Sequence, residues 1–104
     1  MYIWRITTIL ITLIFLNTSF ATSEGFKEVC AIYSEAKNSS MSIEVASKYI
    51  HDNIKNRVHS VEALKTHEAI MSAMGNARYD IFKESAEHSL KQKWDCPAMK
   101  TLMN

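Results

Sequence analysis

Glycine and proline are almost missing from this chain, which holds two of the first and one of the second in 104 residues. Tight hairpin turns draw on both, so their scarcity argues against an all-β fold, and the short length excludes two independent cores. Cysteine is scarce as well. Its two copies, Cys30 and Cys96, stand in no C-x-x-C spacing, which suggests neither a zinc knuckle nor a thioredoxin-type redox pair. A surplus of charge is lacking too: with Arg5 set aside as part of the leader described below, eleven basic side chains face eleven acidic ones. Strong attraction to nucleic acid or to an anionic lipid surface is therefore not expected.

Catalytic signatures are absent in the same way. There is no G-x-S-x-G and no glycine-rich phosphate loop, and most carboxylates sit three or four residues from a lysine, the pattern of a solvated helix face. A chain this poor in loop residues has little from which to build a catalytic cleft, so no enzyme activity, catalytic residue or cofactor is expected.

What is present begins with an apolar leader. Met1 to Arg5 carry a single positive side chain, and Ile6 to Leu16 form an apolar run interrupted only by threonines. Asn17-Thr18-Ser19-Phe20-Ala21 follows, with small residues at the positions a signal peptidase reads. The expectation is a secretory signal peptide over residues 1–21, cleaved after Ala21, and a single helical domain over residues 22–104. The alternative is a retained anchor, since no charge falls between Ile6 and Ser23 and about eighteen residues just span a bilayer. Membrane contact is expected only through this segment, if it stays uncleaved. Export places the cysteines in an oxidising compartment, a bacterial periplasm or the extracellular space. There a Cys30–Cys96 disulfide is expected, against the alternatives of two free thiols or an intermolecular pair.

Phe26, Val29, Cys30, Tyr33 and Ala36 recur at helical spacing and predict a first helix over 23–37. After the polar break 38–42, Ser42 or Ser40 caps a second helix with Ile43, Ala46, Ile50, Ile54 and Val58 on one face. The pattern shifts phase near His59. Ser60 is the expected N-cap of a third helix carrying Val61, Leu64, Ile70, Met71 and Met74, although one bent helix is the alternative. Gly75-Asn76 reads as a left-handed stop. A fourth helix then presents Tyr79, Phe82, Ala86, Leu90 and Trp94 inward, with Lys83–Glu87 and Glu87–Lys91 pairs outside. Pro97 is placed to open a last turn with Met99, Leu102 and Met103. The fold expected is all-α: a small antiparallel bundle of four to five short helices stapled by one disulfide.

Four histidines, His51, His59, His67 and His88, are the most chemically suggestive set, but their spacing does not put two ligands on one helical turn. His67-Glu68-Ala69-Ile70-Met71 has Met where the zinc motif H-E-x-x-H needs its second His, and Glu84 with His88 lies among charges that suggest a solvated face. Of the six methionines one is the initiator, and core packing of Met71, Met74, Met99 and Met103 explains them better than copper does. No metal site is expected. By elimination the chain is expected to be a non-enzymatic exported factor that binds another protein, an inhibitor, an immunity-type partner or a folding helper, with Tyr33, Tyr49, Tyr79 and Trp94 as candidate anchors. The alternative is a metal-binding or pH-responsive stress protein whose histidines gain charge as the pH falls.

Overall fold

The computed structural model describes residues 23–73 and 75–103, and the leader with its expected cleavage after Ala21 lies outside them. Every regular element in this range is helical. Helix α1 covers residues 23–38 and buries Phe26, Val29, Ile32, Tyr33 and Ala36 along one stripe. It stops where Ser40 turns left-handed, with φ of 53°.

Helix α2 (Ile43–Arg57) begins at Ser42, whose hydroxyl accepts the Val45 N–H at 3.3 Å. Glu44 in its first turn and Lys55 and Arg57 in its last oppose the helix dipole. Val58 is extended and ends the helix, so the chain makes two helices here rather than one bent one. Helix α3 (Val61–Met71) starts at Ser60, which accepts the Ala63 N–H at 3.2 Å.

Gly25 explains how closely α1 meets this joint. A Cβ on Gly25 would overlap the Ser60 Cβ and stand 3.2 Å from the Ala63 Cβ, so only glycine permits the approach. Gly25→Ala is expected to cost about 2 kcal/mol of stability through overpacking, despite the roughly 1 kcal/mol by which alanine favours a helix. Urea denaturation of the variant checks this, and a stability equal to the parent's would show that α1 and α3 part without cost.

The same contact sets the rotation of α3. Its inward stripe is Ala63, His67 and Ile70, while Val61 and Met71, both expected inside, are exposed. Ile43, expected on the buried face of α2, is 85 % exposed because that helix first meets the core at Ala46.

The stop at Gly75-Asn76 takes a different form from the one expected. Helix α3 has already ended at Met71, and a 3-10 turn over Gly75–Ala77 leads directly into α4 (Arg78–Leu90). The left-handed stop falls instead at Lys91, with φ of 55°. This ends α4 short of Trp94 and takes Lys91 off the helical path. The expected Lys83–Glu87 pair forms at 3.0 Å, whereas Glu87 accepts the Trp94 N–H at 3.3 Å in place of the expected Glu87–Lys91 pair.

Pro97 opens α5 (Pro97–Met103), which buries Ala98 and Met99. Just before it, Cys96 forms the disulfide with Cys30 of α1. Tyr79 holds this junction: its hydroxyl donates to Asp95 Oδ1 at 2.5 Å and accepts the Cys96 N–H at 3.0 Å. Phe82 stacks edge-on against Phe26 at 5.6 Å and tilts against Trp94 at 5.3 Å. The result is a small antiparallel all-α bundle, closed by one disulfide around an aromatic centre.

Candidate functional site

Five residues of α2, Ile43, Ala46, Ser47, Ile50 and His51, fall on one helical face and form one wall of a cleft of about 170 Å³. Tyr33 of α1, His67 and Met71 of α3, Arg78 of α4, and Leu102 and Met103 of α5 close it. All five helices therefore converge on this place.

Its floor is a neutral pair. Tyr33 and His67 are 3 % and 7 % exposed, and Tyr33 Oη and His67 Nε2 share a hydrogen bond of 2.7 Å. Burial pushes the Tyr33 hydroxyl well above the ordinary phenol range, against a smaller opposing effect of the Arg78 charge. Burial first, and His51 nearby second, hold the His67 imidazole down to about 4 from 6.5. Both side chains are uncharged at neutral pH.

Arg78 supplies the cleft's fixed charge. Its Nε donates to the Ala73 carbonyl at 3.1 Å and its Nη2 to the Met71 carbonyl at 3.3 Å, so it caps the end of α3. A guanidinium has five N–H donors, and no other described residue takes the remaining three. Among the described residues Arg78 pairs with no carboxylate, and none lines the cleft.

Arg57 bonds Glu35 through both terminal nitrogens at 2.6 and 2.8 Å and Glu28 through Nε at 2.8 Å, while the Tyr49 hydroxyl donates to Glu35 at 2.5 Å. These bonds, the Arg57 pair foremost, hold the Glu35 carboxyl down to about 2. Arg57 is committed to tying α2 to α1. Because the pair is more than a third exposed, Arg57→Met is expected to cost only about 1 kcal/mol, a loss that shrinks in 1 M salt. Melting curves at low and high salt check both parts.

The structure divides the histidines. His51 and His67 reach one cleft from different helices, while His59 and His88 are exposed elsewhere. Among the described residues no three His, Cys, Asp or Glu side chains gather where a metal ion fits. Of the aromatic candidates, Tyr79 is buried in the core, Trp94 packs between Phe26 and Phe82, and Tyr49 serves the Arg57 network. Only Tyr33 touches the cleft, as part of its floor. Arg78 and Leu102 were not legible as site residues. The one signal was Arg78 itself, a cation in the first turn of a helix, where the dipole disfavours it.

The cleft thus combines a fixed cation, hydrogen-bonding side chains and apolar walls. No helix among the described residues is long and apolar enough to cross a membrane. Comparison with protein-family models, with curated proteins and with solved structures finds no match to this chain.

Proposed function

We propose that this chain is an exported, non-enzymatic binding protein that holds a partner protein at the mouth of the five-helix cleft. The observation that carries the reading is the composition of that mouth. Ile43, Met71 and Leu102 stand at its rim with 85, 49 and 38 % exposure, beside an arginine without a carboxylate partner among the described residues. Exposed apolar groups ringing a polar anchor are the usual make-up of a contact surface. The disulfide supports a working place outside the reducing cytosol. A photo-crosslinking residue at Leu102, introduced into the full chain in its own host, is expected to capture one stoichiometric partner, and Met71→Glu is expected to abolish the capture. Absence of any crosslinked species, or capture unaffected by Met71→Glu, would count against it.

An acid-responsive role is a second reading, supported by the buried neutral His67 beside His51. Circular dichroism that stays unchanged down to pH 4 would remove it.

A further inference from the structure

We infer that the cleft receives the C-terminal residue of a partner polypeptide, its apolar side chain among Ile50, Met71 and Met103 and its free carboxylate on Arg78. This rests on the binding-protein reading above and names the chemistry of the partner. The size of the cleft limits what can enter it. A cavity of about 150 Å³ takes up benzene, so a cleft of about 170 Å³ accommodates one leucine- or phenylalanine-sized group. A whole helix or a long acyl chain does not fit.

The cleft's charge favours an anionic group. The planar fork of arginine matches a carboxylate through two parallel N–H bonds, and among the described residues Arg78 has donors to spare and no acid lines the cleft to compete. Ser47 and His51, one turn apart on α2, add hydrogen-bonding groups to the lining. The Tyr33–His67 floor carries no charge at neutral pH, so an apolar group resting on it meets no buried ion. Capture of a terminal carboxylate is an established mode of peptide recognition.

The rim separates a polypeptide from a small carboxylic acid. Ile43 is 85 % exposed, so a molecule small enough to be enclosed by the cleft leaves it in water. A chain that ends in the cleft and continues outward covers it.

Fluorescence anisotropy tests this on the oxidised protein, produced from the full chain in a secreting host. The probe is a labelled glycine-serine hexapeptide ending in leucine, with a free carboxylate or as the C-terminal amide. The acid is expected to bind saturably and the amide at least about tenfold more weakly. Arg78→Gln is expected to bring the acid to the amide's level. Because Arg78 also caps α3, Leu102→Glu at the exposed rim serves as a second variant, expected to weaken the acid by like-charge repulsion with unchanged circular dichroism. Equal binding of acid and amide, or no saturable binding, overturns the inference. So does displacement of the peptide by 4-methylpentanoate at equal concentration, which would make the ligand a small acid. If the Leu102 crosslink still captures a partner in those cases, the binding-protein reading stands and only this inference falls.

Discussion

Alanine at both Cys30 and Cys96 is expected to lower the free energy of unfolding by about 4 kcal/mol and the melting temperature by roughly 20 °C. The two residues are 66 apart, so the bridge removes from the unfolded chain most of the conformations available to the described domain. A domain this small holds only about 5 to 15 kcal/mol in total. The loss is not expected to spread evenly. Cys96 is fully buried and immediately precedes α5, whose seven residues are too few to be helical on their own. Tyr79 still grips Asp95 and the Cys96 backbone in the variant, so α4 is expected to keep its place while α5 opens first. Melting curves with and without reductant check the magnitude, and amide exchange checks the order. A reduced protein within about 1 kcal/mol of the oxidised one would show that packing alone closes the bundle.

The second large effect follows from His67. Its folded-state value is lowered to about 4 from 6.5, so between those values the unfolded chain binds a proton that the folded one does not. Stability is therefore full above about pH 6.5, declines as the pH falls toward 4, and loses no more on this account below it. The shift amounts to roughly 3 kcal/mol. The titratable groups beside the imidazole are Tyr33 on α1 and His51 on α2, Arg78 of α4 shares their cleft, and among the described residues no carboxylate lines it to stabilise the imidazolium. Glu35 acts in a separate window. Held down to about 2, it contributes stability above its ordinary range and loses it as the pH falls from about 4.5 to 2. His67→Gln, which retains hydrogen-bonding capacity toward Tyr33, is expected to flatten the upper window and leave the lower one. Urea midpoints at pH 7, 5.5 and 4.5 measure this, and parallel slopes for parent and variant would refute the assignment.

The helices were legible because their signals are local. Ser42 and Ser60 cap where their neighbours need an acceptor, and Pro97 starts a helix whose first N–H has no partner to lose. Phe26, Val29, Tyr33 and Ala36 announce their stripe by spacing alone. Rotation was harder to read. Periodicity placed Val61 and Met71 of α3 inward, but the contact of Ser60 and Ala63 with Gly25, 35 and 38 residues away in sequence, turns Ala63, His67 and Ile70 inward instead. The stop at Lys91 gave no sign, because lysine seldom adopts the left-handed region and composition does not report it.

The cleft was not legible for the same reason. Its lining comes from all five helices, and residues such as Arg78, Met71 and Leu102 carry no mark of their shared destination. The sparse glycine and proline, the helical spacing and the two cysteines determined by themselves that the chain makes short helices joined by one bridge. Those properties depend on neighbours along the chain, or on a choice with a single possible partner. Which histidine became buried, and which arginine found carboxylates among the described residues, was decided only by packing. Burial and pairing are set by groups brought together across the bundle, and sequence separation does not encode that distance.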